Sequence, residues 1–147
     1  MRKFLSLIVL MVAGYVVLSQ YRQLSPAGGH VVGVESAGDA ALARAIESRA
    51  SGVQIQGQGR VIRVLPDDNH GSRHQRFILE LPSGQTLLIA HNIDLAPRIP
   101  TLRKGETVAF HGEYEWNSKG GVIHWTHHDP GGRHVTGWLK HEGRTYQ

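Results

Sequence analysis

The chain has 147 residues, 40% of them hydrophobic and 19% charged, with 10 histidines, no cysteine and a formal net charge of +4. That leaves room for one domain with a packed core, and it excludes a disordered chain, disulfides, zinc–thiolate sites and cysteine nucleophiles. With 18 glycines and 6 prolines and no internal period, the composition points to β structure and turns and excludes solenoids and propellers.

Arg2 and Lys3 precede Phe4–Ser19, sixteen residues without a charge. This is the pattern of a secretory signal or a short signal anchor, assigned to residues 1–20. No clean cleavage site follows, although Ser25-Pro26-Ala27 fits one. The expected location is the periplasm or outside the cell, with the inner membrane as a partner if the segment stays uncleaved. Export also separates the chain from ATP and NAD pools, so no nucleotide cofactor is expected. Beyond residue 3 the balance is 14 basic against 12 acidic residues, or +2. Such a surface can meet phosphate but is not that of a DNA-coating protein.

Residues 21–37 read as a linker and 38–147 as the folded domain. A short helix is expected over 38–50, where Leu42, Ala45, Ile46 and Arg49 recur at helical spacing and Asp39 is placed to cap. From Val53 the period changes to two. Strands are expected over 53–65, 74–81, 85–91, 107–116 and 121–129, with Gly57 and Gly59 bending the first. Pro82-Ser83-Gly84 turns the second into the third, and residues 117–120 turn the fourth into the fifth. Residues 130–147 form a tail with a possible edge strand. Five strands in about 80 residues, with a long bent first strand, predict an all-β, five-stranded OB-like Greek-key barrel over 53–129. A split barrel or small sandwich is the alternative.

Alternation then sorts side chains by face. Pairing Tyr114 with Ile123 and Glu113 with His124 gives an apolar face and a polar face carrying His111, Glu113, His124, Thr126 and His128. Tyr114, Trp116 and Trp125 are thereby assigned to the core, and Trp138 is left as a possible stacking platform.

Two constellations carry the candidate chemistry. The first is His124, His127, His128 and Asp129. His124 and His128 stand about 13 Å apart along a straight strand, too far to share one ion, so His128 with Asp129 is the better base or metal pair. The second brings Asp67, Asp68 and Asp94 as metal ligands together with His74 and His91 as catalytic groups and Arg76, Arg98 and Asn92 for substrate. A divalent metal ion to activate water and arginines for developing phosphate charge are the parts of phosphodiester hydrolysis. The structural alternatives are edge histidines bonded to backbone and water, and turn aspartates that satisfy their own loops.

The stretches 91–100, 112–130 (with the string HWTHHDP) and 137–147 resemble an uncharacterised family of small exported bacterial proteins, a domain of unknown function. The resemblance covers residues 53–147 and implies compartment and fold more than activity. More loosely, the domain is similar to periplasmic OB-fold proteins and to thermonuclease-like nucleases. It lacks the D-G-D-T string of those nucleases, and Asp67, Asp68, Arg76 and Asp94 match only their residue types. The leading expectation is an exported, metal-assisted phosphodiesterase acting on DNA or RNA. The alternatives are a non-catalytic module binding oligonucleotide, glycan or a small ligand, and a histidine-rich metal-binding envelope protein.

Overall fold

The computed structural model describes residues 37–147. The expected signal or anchor at 1–20, and the linker up to residue 36, lie outside the described residues. The helix α1 runs Ala37–Glu47 and the strands are β1 Val53–Val64, β2 His74–Glu80, β3 Thr86–Asn92, β4 Thr107–Glu115, β5 Val122–His124, β6 Trp138–His141 and β7 Arg144–Tyr146.

The first five strands pair in the order β1-β2-β3-β5-β4, and β1 also pairs with β4, which closes the barrel. Closure depends on the length of β1. Its first part, Val53 to Arg60, pairs with β4, and its second, Arg60 to Val64, pairs with β2. The strand changes partner at Arg60, and its bulge falls between Val61 and Arg63 rather than at the two glycines. Gly57 and Gly59 serve packing instead. A Cβ at Gly57 would stand 3.0 Å from the Phe110 ring, and one at Gly59 2.9 Å from the Glu80 carbonyl oxygen.

Alternation fills the interior as expected, with Ile55, Val61, Phe77, Leu79, Leu87, Ile89, Val108, Phe110, Tyr114 and Ile123 all buried. Leu42 and Ala45 of α1 join the same core. Asp39 lies within this helix, not ahead of it. The irregular stretch after β3 is held by Gln75, whose buried amide donates to the Ile99 carbonyl and accepts from the Ile99 N–H, both at 2.9 Å.

The tail is more regular than a single edge strand. β6 and β7 form a hairpin whose turn, Glu142-Gly143, has φ of +48° and +75°, the requirement of a two-residue type I′ turn. β6 pairs with β4 through Phe110↔Leu139, on the edge that β5 occupies further along through Tyr114↔Ile123. The chain therefore leaves that edge after His124 and returns to it at Trp138. Residues 125–137 are the excursion between, a compact loop of the kind whose ends lie close together.

Candidate functional site

β5 is much shorter than the expected strand 121–129. It ends at His124 because Trp125 takes φ +53°, the left-handed region that a strand cannot hold. The alternation that should have run on to His128 stops there. Trp125 lines the surface instead of the core, and its indole is stacked 3.6 Å from the His134 ring. Thr126 and His127 turn inward and are buried, while His128 is exposed, with Nδ1 3.4 Å from Thr136 Oγ1.

The loop's neck is pinched by the Gly137 N–H donating to the His127 carbonyl at 3.1 Å. A Cβ at Gly137 would come within 1.9 Å of the Trp125 carbonyl oxygen and 2.6 Å of that of His111, so only glycine fits. The loop's tip is organised by Asp129. Its carboxylate accepts from the N–H groups of Gly131 (2.8 Å), Arg133 (2.7 Å) and His134 (3.1 Å). These bonds, that from Gly131 foremost, hold its pKa below the usual carboxylate range. The expected His128–Asp129 pair is not formed, since the carboxylate is committed to its own loop.

His74, Ala90, Asn92, Leu95, His124, Trp125 and His127 line one groove of about 320 Å³, together with Ser72. His74 and Asn92 of one sequence constellation thus meet His124 and His127 of the other at a single groove, built from the start of β2, the end of β3 and the root of the 125–137 loop. The histidine tautomers follow from their partners, because a carbonyl only accepts. His74 donates from Nδ1 to the Ser72 carbonyl at 2.8 Å, and His127 donates from Nδ1 to the His128 carbonyl at 2.7 Å. In the neutral rings, each Nε2 is left with its lone pair. A backbone tether on one ring nitrogen is how proteins orient an imidazole for base or ligand duty at the other.

His91 differs. The register sets it opposite Gln75, with His74 opposite Asn92, so His91 points inward and His74 outward. Its Nε2 donates to the Pro97 carbonyl at 3.1 Å and its Nδ1 accepts from the Thr126 hydroxyl at 2.8 Å. Burial, above all, pushes its pKa down to about 4. With both nitrogens engaged inside the core, His91 is not available to a substrate.

The aspartates assigned to metal are separated, each holding an arginine or a loop. Asp67 pairs with Arg98 at 3.0 Å, Asp94 with Arg73 at 2.7 Å, and Asp68 stands 3.7 Å from Arg76. Asp94 is held below its usual pKa first by the Arg73 backbone N–H, and Asp68 by that of His70. Arg76 also donates to the Pro66 carbonyl at 3.1 and 3.2 Å. Trp138 packs under the Lys140 ammonium, 4.3 Å from the ring centroid, and beside His111.

The acidic and histidine groups that could hold a metal ion are others. Among the described residues they are Glu113–Glu115–His124 and Glu106–His141–Glu142. The first adjoins the groove through His124. Glu113 lies opposite His124 in the β4–β5 register, and Glu115 follows on the same outward face. That opposition was readable from the sequence, as an E-x-E strand facing a histidine. The contribution of His134 was not, because it depends on the path of the loop. His134 donates from Nδ1 to Glu113 Oε2 at 3.3 Å.

Fold and site together define a small closed β-barrel with a histidine-lined groove beside a carboxylate–imidazole cluster. The chain belongs to the DUF3465 family, described as proteins of unknown function, whose pattern matches residues 29–147. No curated protein matches it.

Proposed function

We propose that the protein is an exported, metal-assisted phosphodiesterase acting on nucleic acid, with the groove as its substrate site. The observation that carries this reading is the convergence of His74, His124 and His127 from separate segments on one groove. Two of them, the partly exposed His74 and the buried His127, have Nδ1 tethered to backbone, which leaves a lone pair on Nε2 of each neutral ring. Burial lowers the pKa of His124, which keeps this imidazole neutral at pH 7 and fit to act as base or ligand. Arg76, two residues beyond His74 on the same outward face of β2, would supply a cation for a phosphate. The Trp125 face and Asn92 supply stacking and hydrogen bonds to a base. A divalent metal ion beside the groove would stabilise the charge developing on the phosphate and lower the pKa of the attacking water. Residues 4–19 support placement in the periplasm or at the inner membrane.

The test is cleavage of labelled single- and double-stranded DNA and RNA by the full chain, with Mg²⁺, Mn²⁺, Ca²⁺ or Zn²⁺ and a chelator control. Metal-dependent cleavage that falls about 100-fold or more in His74→Ala, with an unchanged melting curve, is the expected result. No cleavage under any condition overturns it.

A second reading, metal binding at the envelope without turnover, is favoured by the aspartates that occupy Arg76 and Arg98. A phosphate would have to displace those carboxylates. Metal bound without cleavage of any nucleic acid is the outcome that selects it.

A further inference from the structure

We infer that Glu113, Glu115 and His124 form the site of a first-row divalent metal ion, of the zinc or manganese class. The inference deepens the hydrolytic reading above, and rests on it only for what the ion would do.

The three side chains share the outer face of the barrel where β4 and β5 pair. Their ligand atoms all lie within 4.8 Å of one another. His124 Nε2 is 4.0 Å from Glu115 Oε1, too long for a hydrogen bond. Metal–ligand bonds of about 2.0–2.2 Å set neighbouring ligand atoms roughly 3–4 Å apart, so a modest side-chain contraction closes the set around one ion.

Two further observations point to a missing partner. His124 Nε2 is shielded from solvent and has no hydrogen-bond partner, and a buried polar atom left so is costly. Gln54 Oε1 is in the same condition. Gln54 sits opposite Glu113 in the β1–β4 register and its amide reaches Glu113 Oε2 at 3.4 Å. Gln54 thus spends its amide nitrogen on the carboxylate that faces His124 across the β4–β5 pairing. Among the described residues, the ion pairs of Glu113 and Glu115 are with histidines only, so two negative charges stand side by side without a lysine or arginine. A divalent cation neutralises both and supplies His124 Nε2 with a partner. The alternative cluster lacks this signature. Its imidazole is already partnered, His141 Nε2 donating to Glu106 Oε2 at 2.9 Å, whereas His124 Nε2 is not.

The donor set selects the ion. One imidazole excludes a purely hard oxygen site for Ca²⁺ or Mg²⁺, and two carboxylates without thiolate disfavour soft Cu(I). His134, bonded to Glu113 and stacked on Trp125, is a positioning residue that fixes the carboxylate's orientation.

The experiment is calorimetric titration of the chelator-stripped full chain with Zn²⁺ and Mn²⁺, with Mg²⁺ and Ca²⁺ in parallel. One equivalent of Zn²⁺ or Mn²⁺ is expected. Glu115→Gln should abolish that binding, and His134→Ala should weaken it about 10- to 100-fold, with both variants melting cooperatively. No binding, binding unchanged in Glu115→Gln, or binding abolished instead by Glu142→Gln overturns the site. Binding lost in Glu115→Gln without cleavage of nucleic acid supports the site and removes the phosphodiesterase reading. Cleavage that survives Glu115→Gln intact while the metal binding is lost supports the site and removes the ion from the phosphodiesterase reading.

Discussion

His91 and His124 stand on neighbouring strands, yet they have opposite characters. β3 and β5 run parallel with Ile89 beside Ile123, both inside the barrel. His91 is two residues past Ile89 and so faces inward; His124 is one past Ile123 and so faces outward. The inward ring has both nitrogens bonded and is locked neutral, whereas the outward ring has an Nε2 without a partner. The same residue type is a core element in one position and a ligand candidate in the other. What separates them is the parity of a single residue along a strand, and whether the neutral ring is fully satisfied.

The largest expected effect comes from breaking the satisfied member. His91→Ala removes a fully buried ring, leaves a cavity and strands the Thr126 hydroxyl, itself buried. A loss of about 4 kcal/mol of unfolding free energy is expected from chemical denaturation. A loss below about 1 kcal/mol would show that His91 is not the structural histidine its bonds indicate.

Acid should reveal the same difference. The folded pKa of His91 lies near 4, below the ordinary value of 6.5 that the unfolded chain has. Between these values the unfolded chain takes up a proton that the folded chain does not, so stability falls as pH falls. The 2.5-unit gap corresponds to on the order of 3 kcal/mol, fully present above pH 6.5 and lost progressively down to pH 4. Denaturation midpoints measured across that window should show this slope, and His91→Gln should flatten it.

Next in size is the loop that presents the outward histidines. Gly137→Ala forces a methyl group against two backbone carbonyls at the loop's neck. A destabilisation of about 1–3 kcal/mol is expected. The stacking of His134 on Trp125 should loosen with it, read as a change in tryptophan fluorescence. An unchanged spectrum and melting temperature would mean that the neck does not set the loop.

How far the sequence could be read follows from these same residues. Period-two alternation gave the interior face of β4, and the E-x-E strand opposite His124 was placed in its correct register. The reading failed where a backbone dihedral, not a hydrophobic period, decides. Nothing in H-W-T-H-H-D announces that Trp125 adopts a positive φ. Extending alternation through it sent Trp125 to the core and Thr126 to the surface, the reverse of what is found. His91 was grouped with His74 by residue type, but it stands opposite Gln75 and faces inward while His74 faces outward. The aspartates near residue 67 were grouped by composition. In the fold each is paired to the arginine that was meant to assist it.

The smallest expected effect tests that last point. Asp67 and Arg98 form a surface pair 3.0 Å apart, with the arginine side chain 53% exposed and the aspartate 24%. Solvent and salt screen such a pair, so Asp67→Asn should change stability by less than about 1 kcal/mol, and less still at high ionic strength. It removes a carboxylate from the rim without touching Glu113, Glu115 or His124. Zn²⁺ or Mn²⁺ affinity should therefore be unchanged by calorimetry, while Arg98 is freed. If the rim aspartates held the metal instead, the same substitution would weaken binding strongly and leave Glu115→Gln without effect. Asp67→Asn and Glu115→Gln thus form a reciprocal pair, and only one of them can abolish the metal. That one is Glu115→Gln, because Asp67 already has its cation in Arg98, whereas among the described residues Glu113 and Glu115 pair with no lysine or arginine.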